Sequence, residues 1–199
     1  MKQGLERQVL SRLVHHGCLP LGEKKILEVG CGTGPWLRDL VKWGASPENL
    51  FGIDLLPQRV FEARRLCPAQ VNLLCGGIAV LSETPKAIFD IVLQATVFTS
   101  VLNSDLRQSM ALSMLRLVKP NGFIFWYDFR LNNPGNPDVR GVKRKEIFRL
   151  FPGCRIELIP TTLAPPIVRL LAPRSWLFCS LLEKIPWLCT HYLGVIQKR

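Results

Sequence analysis

Short apolar runs alternate along this chain with segments whose apolar positions recur every three or four residues. Ile26–Val29, Leu50–Asp54, Val71–Cys75, Ile88–Leu93, Phe123–Tyr127, Arg155–Ile159 and His191–Ile196 read as strands. Between them, a helix from Pro35 buries Leu37, Leu40 and Val41 and stops near Gly44, and a second runs from Pro57 to Leu66. Asn103 or Ser104 caps a third, whose Leu106, Met110, Met114, Leu117 and Val118 share one face and which Lys119-Pro120-Asn121-Gly122 ends. A short helix reaches about Phe151. Ahead of everything, residues 2–16 place Leu5, Val9, Leu13 and Val14 on one helical face, with Arg7 and Arg12 outside it. Such a helix would pack across one end of the sheet. Strands alternating with amphipathic helices imply right-handed crossovers and a parallel sheet covered on both faces, an α/β/α sandwich. The expected organisation is one domain over 1–199, with 1–22 as its N-terminal helix and 160–190 as an insertion.

The junction of the first strand and the helix after it, Ile26-Leu27-Glu28-Val29-Gly30-Cys31-Gly32-Thr33-Gly34-Pro35, carries glycines at alternate positions. Glycine removes the side chains that keep a ligand off the backbone and permits the angles of a tight strand-to-helix turn. Pro35 suits a first helical position, where its missing N–H costs nothing. A dinucleotide site would want a small residue where Pro35 stands. Glu28, inside the strand end, would repel a pyrophosphate but attract a sulfonium-bearing amino acid. About twenty residues further on, the second strand ends in Asp54, at the offset where a carboxylate holds a ribose diol.

Together these residues resemble the E/D-x-G-x-G-x-G motif of class I S-adenosylmethionine (SAM) methyltransferases. Phe89-Asp90-Ile91-Val92-Leu93-Gln94 looks like that family's fourth strand, and Leu117 to Trp126 like its passage from helix to fifth strand, so the resemblance spans about residues 24 to 130. It implies a Rossmann-like, doubly wound seven-stranded sheet with the last strand antiparallel, and SAM as cofactor. It also implies that Glu28, Gly30, Cys31, Gly32 and Gly34 hold the amino-acid and sulfonium part, and that Asp54 takes the ribose hydroxyls with Leu55 beside the adenine. Many relatives read G-D-A after the third strand, but this chain reads Cys75-Gly76-Gly77-Ile78. Adenine binding then falls to backbone groups near Gly77 and Ile78. Gln94 would face the donor mostly through its backbone.

On the acceptor side, strand six runs toward the carboxyl edge of the sheet and strand seven returns from it, so the segment 160–190 should roof the active site. Tyr127, Arg130, Asn132 and Asn133 are the candidate acceptor-binding residues. His191 is the candidate base, with Asp128 orienting the substrate or the imidazole. Both also fit plain structural roles, His191 capping a strand and Asp128 opening a turn. His15-His16 fits a helix C-terminus, which favours a protonated imidazole.

Seven scattered cysteines without a C-x-x-C pair point to reduced thiols in a cytoplasmic protein, as small core residues and not metal ligands. Neither a signal peptide nor a spanning segment is legible. The formal net charge of +11 favours anionic partners. Arg140, Lys143, Arg144, Lys145 and Arg149 read as a solvated face or as a site for phosphate or a membrane surface. Trp176, Leu177, Phe178, Leu181, Leu182, Ile185, Trp187 and Leu188 are expected to pack on the domain and form the acceptor pocket. The alternative is interfacial anchoring beside Arg169, Arg174 and Lys184, a peripheral contact at the inner membrane surface.

Leu93-Gln94-Ala95-Thr96 lacks the N/D-P-P-Y/F motif of amino-group base methyltransferases, and no Pro-Cys pair stands there, so nucleic acid is the weaker acceptor class. A small molecule or glycan methylated at a hydroxyl fits better, phosphorylated and lipid-linked forms included. The second half resembles bacterial methyltransferases of polysaccharide or secondary-metabolite pathways. An RNA methyltransferase or a non-catalytic SAM-binding protein stays the runner-up, and the protein is a monomer or homodimer.

Overall fold

A computed structural model describes residues 2–133, 135–171, 173 and 175–198. Seven strands, β1 (Ile26–Val29), β2 (Leu50–Asp54), β3 (Asn72–Cys75), β4 (Phe89–Ala95), β5 (Val118–Phe129), β6 (Cys154–Leu163) and β7 (Cys189–Lys198), form one sheet in the order β3-β2-β1-β4-β5-β7-β6. The pairs from β3 through β5 are parallel, whereas β7 runs antiparallel to both of its neighbours. This is the Rossmann-like arrangement expected from the motifs.

Alternation along the strands divides the core in two. Ile26, Ile91, Leu93, Phe125, Tyr127 and Leu193 face α1 (Lys2–His15), α2 (Pro35–Lys42) and α3 (Pro57–Leu66), packing on Val9, Leu13, Leu37, Leu40 and Val60. Leu27, Val29, Val92, Ile124 and Trp126 face α4 (Ser104–Leu117) and α5 (Arg144–Leu150), packing on Met110, Met114, Leu117 and Ile147. Asn103 caps α4, its Oδ1 accepting the Leu106 N–H at 2.9 Å.

Several expectations shift. Val14 is exposed, and α1 does not cross the cofactor end of the sheet. Instead it lies along the sheet, with Gln8 beside Thr161 at one edge and His16 against Phe123 at the other. On α4 the buried stripe is Arg107, Met110, Ala111, Met114 and Leu117, while Leu106 is exposed. Lys119-Pro120-Asn121-Gly122 does not stand outside the strand. β5 absorbs it in an irregularity between the pairs Phe89↔Val118 and Ile91↔Phe123, where a Cβ on Gly122 would lie 2.6 Å from the Asp90 carbonyl oxygen.

The segment between β6 and β7 leaves and re-enters at the carboxyl edge, folding into α6 (Pro165–Leu171), α7 (Trp176–Leu182) and a 3-10 turn at Pro186–Leu188. The side chains of Trp176 and Leu177, and Arg174 altogether, lie outside the described residues. Of the remaining apolar set, Phe178, Leu181 and Trp187 are exposed instead of packed on the domain. Cys179 and Cys189 are buried.

Candidate active site

The three glycines of the first turn all have positive φ, at 69° for Gly30, 55° for Gly32 and 74° for Gly34, yet they serve different ends. A Cβ on Gly30 would lie 2.3 Å from a Val97 methyl carbon, and one on Gly34 would lie 2.5 Å from Cys67 Sγ, so both positions are closed by packing. At Gly32 nothing lies within 4 Å. Gly32 is therefore the backbone position that faces open space. Asp54 holds it there, Oδ2 accepting the Gly32 N–H at 2.9 Å and Oδ1 accepting the Leu56 N–H at 3.0 Å. Cys31, expected at the ligand, turns its thiol into the core, where burial pushes its pKa up to about 12. Its thiol donates to the Gly32 carbonyl at 3.8 Å, so it braces the turn from the core side.

Glu28 sits beneath this turn, buried on the face toward α2. Its carboxylate accepts the backbone N–H of Leu37, three residues into α2, and Oε2 has no partner. Burial first, and then the neighbouring Asp54, hold its pKa well above the ordinary 4.5. A buried carboxylate oxygen without a partner could receive an amino acid's ammonium group, and Asp54 keeps lone pairs for a diol. Further along the edge, Leu55 is 70% exposed, an apolar surface for a base. Gly77 has open space where a Cβ would stand, whereas Ile78 buries its side chain and offers only its backbone. Gln94 is buried with Oε1 accepting the Val97 N–H at 3.2 Å, so its amide secures the loop after β4.

The structure separates the candidate catalytic pair. Phe129 and His191 are paired across β5 and β7, as are Asp128 and Tyr192, so the side chains of His191 and Asp128 project from opposite faces of the sheet. Asp128 is fully buried, accepting the N–H groups of Thr99 at 3.2 Å and Phe129 at 2.9 Å, and burial raises its pKa to about 6. It fastens the loop after β4 and does not orient His191. The imidazole of His191 stacks on Tyr127 at 4.6 Å between centroids, within 2° of parallel, and touches Phe129. Burial lowers its pKa to about 4. The Tyr127 hydroxyl meets Thr162 Oγ1 at 2.9 Å, and burial pushes it up to about 12. Arg130 donates to the Pro186 carbonyl at 2.8 Å and lies over the Tyr192 ring. Asn132 and Asn133 spend their Oδ1 atoms on their own loop, accepting from Gly141 and Gly135.

Residues 26–122 match the methyltransferase domain family. A tRNA N(3)-methylcytidine methyltransferase of Schizosaccharomyces pombe is 30% identical over 116 residues, covering 54% of this chain and 37% of that protein. Among solved structures, a SAM-dependent methyltransferase from Archaeoglobus fulgidus superposes with a TM-score of 0.66 at 16% identity, covering 98% of this chain and 94% of the other. Magnesium protoporphyrin IX methyltransferase from Synechocystis, solved with bound SAM, gives 0.64 at 16% identity, covering 99% and 80%. The chain therefore combines a segment of the methyltransferase domain family with the fold of SAM-dependent methyltransferases.

Several residues near the edge left little mark in the sequence. Trp36, one residue past Pro35, reaches within 6.4 Å of Tyr127. Thr96 has a positive φ of 58° at the end of β4, and Glu183 accepts the Thr162 N–H at 3.1 Å. His16, expected as a charged helix terminus, has its pKa lowered by burial despite Glu157 at 3.5 Å. His15, His16 and Glu157 are close enough to share an ion, but Arg12 at 3.3 Å and Arg155 at 3.1 Å already hold that carboxylate.

If Glu28 receives the ammonium group of SAM, its raised pKa makes cofactor affinity depend on pH. The free protein holds this carboxyl protonated above 4.5, and an ammonium partner favours its ionised form, so binding releases a proton. SAM affinity should rise with pH through the window between 4.5 and the raised value, and level off above it. Calorimetry in buffers of different ionisation enthalpy reads the released proton directly. Glu28→Gln should flatten the dependence and cost about tenfold in affinity.

Proposed function

We propose that the chain is a SAM-dependent methyltransferase that moves the methyl group to a hydroxyl of a small-molecule or glycan acceptor lying over the ends of β4, β5 and β7, under a roof made by 160–190. Bound SAM supplies an electrophilic methyl carbon on a sulfonium whose leaving group departs neutral. The chain's own task is then to align the acceptor, exclude water and take one proton. In this reading Glu28 and Asp54 hold the ends of the cofactor, and Gly32 lets it approach the backbone.

The observation that carries the proposal is the hydrogen bonding and burial of the His191 ring. The Thr190 hydroxyl has one proton and gives it to the Thr162 carbonyl at 3.1 Å, so toward His191 Nδ1, at 2.9 Å, it can only accept. Nδ1 thus carries the ring proton and Nε2 the lone pair. Burial keeps that imidazole neutral down to about pH 4. A neutral imidazole of fixed tautomer, stacked among Tyr127 and Phe129 with Trp36 nearby, suits an uncharged hydroxyl against aromatic faces. At the end of β4, Gln94 is fully buried and its Oε1 already accepts the Val97 N–H, which disfavours it as a partner for a base amine.

Methyl transfer to a panel of glycans, polyols and phenols, read as S-adenosylhomocysteine release, tests this. His191→Ala should lower kcat while SAM affinity holds. The loss should be about tenfold, below the usual range for a general base because so weak a base gains less from proton transfer. With SAM saturating, kcat/KM for the acceptor should stay flat through pH 6.5 and fall only toward about 4. Unchanged turnover in His191→Ala would remove the base from this scheme.

An RNA acceptor is the second reading, supported by the identity with the S. pombe tRNA enzyme and by exposed Lys143, Arg144, Lys145 and Arg149. Methylation of bulk tRNA with a steep salt dependence would favour it.

A further inference from the structure

The segment 160–190 presents large apolar side chains to solvent at the same edge as the active site. Trp187 is 80% exposed at the 3-10 turn, and Phe178 and Leu181, three residues apart on one side of α7, are half exposed while Cys179 turns inward. Leu131, also exposed, belongs to the same rim, because its neighbour Arg130 donates to Pro186 beside Trp187. Arg169 and Lys184 stand exposed among them. The one acid in the segment, Glu183, is turned inward onto the Thr162 N–H. The outward face is therefore apolar and positive, with its negative charge withdrawn.

We propose that this rim, Leu131, Phe178, Leu181 and Trp187 flanked by Arg130, Arg169 and Lys184, inserts into the interface of an anionic phospholipid bilayer. Short helices with leucine and aromatic tips beside cations bind lipid at headgroup level, the apolar side chains entering the acyl boundary and the cations meeting phosphate. A second copy is a poor occupant, since each chain carries a formal net charge of +11 and would bring the same cations to the contact. Nucleic acid would use the cations but leave the leucines without a partner. No helix among the described residues is long and apolar enough to cross a membrane, so the contact is confined to the surface.

The inference stands apart from the nature of the acceptor, because vesicle binding needs no turnover. The full chain should sediment with vesicles of equimolar phosphatidylcholine and phosphatidylglycerol and not with phosphatidylcholine alone. Trp187→Ser, at a position too exposed to carry the fold, should lower that partition about tenfold with SAM affinity unchanged. The pair Arg169→Glu and Lys184→Glu should lower it further, and added salt should weaken it in the parent. Tryptophan emission should shift to the blue on anionic vesicles, and Trp187→Phe should lose that shift. The proposal is overturned if anionic vesicles leave the chain in solution, or if Trp187→Ser partitions like the parent. It is overturned equally if Trp187→Ser dissolves a dimer, or if the rim variants weaken tRNA binding in place of lipid binding.

Discussion

Gly32→Ala should lower SAM affinity about a hundredfold while the protein stays folded. The alanine methyl would project into space that holds no other protein atom, so its contact cost falls on the cofactor and not on the core. The positive φ of 55° adds roughly 1–2 kcal/mol of backbone strain, which a domain of this size survives. The neighbouring glycines should show the opposite division. Gly34→Ala drives a methyl to 2.5 Å from Cys67 Sγ, and Gly30→Ala to 2.3 Å from Val97, so both should lose stability, by about 2–4 kcal/mol once overpacking and strain are combined. Cys67→Ala removes the sulfur and should recover part of the Gly34→Ala loss, while doing nothing for Gly32→Ala. Titration calorimetry with SAM beside urea denaturation of the four variants separates binding from folding. If Gly32→Ala binds SAM like the parent, the open side of this turn is not where the cofactor lies.

That division among three alternate glycines marks how far the sequence could be read. Alternating glycines after an apolar strand, and an acid at the end of the next strand, are legible because few side chains tolerate those backbone angles and few ligands call for that carboxylate. Crossover rules give the handedness of the parallel connections, while the doubly wound sheet with its antiparallel last strand is what the family resemblance implies. What each glycine faces depends on Val97 and Cys67, which lie elsewhere in the chain. The same holds for His191 and Asp128. Both stand at the carboxyl edge as expected, but whether two residues on different strands share a face depends on register, and the pairing of Phe129 with His191 decides it against them. Asn132 and Asn133 look like acceptor ligands because asparagine can bond a hydroxyl, and equally look like turn residues. Their loop uses them as the latter.

The hydrophobic pattern misled most clearly on α4, where Leu106 and Arg107 exchange the places their side chains suggest, and there the second large effect is expected. Arg107→Ala should cost about 3–5 kcal/mol and lower the melting temperature by roughly 10 °C. The guanidinium is fully buried. It donates from Nε to the Val101 carbonyl at 2.6 Å, to Glu146 at 2.6 Å and to the Arg140 carbonyl at 2.9 Å. Alanine would leave two carbonyls without that donor and Glu146 with Arg140 alone, at 3.1 Å. Arg107→Lys keeps the charge but not the planar fork, so it should recover less than half of the loss. Arg107→Met, which fills the space without donors, distinguishes packing from hydrogen bonding. The consequence should also reach the active site. Val101 and Arg140 belong to the loops that follow β4 and β5, and those loops are joined again where the Arg140 N–H meets the Thr99 carbonyl at 2.9 Å. Asp128 holds the same loop from the sheet side through the Thr99 N–H. One cation thus ties together the two loops that flank the proposed acceptor site, and on that proposal Arg107→Lys should raise KM for the acceptor more than it lowers SAM affinity, because Gly32 follows β1 and Asp54 ends β2. Urea midpoints together with KM for each substrate check both halves. Equal loss for acceptor and cofactor would reduce Arg107 to a purely structural cation.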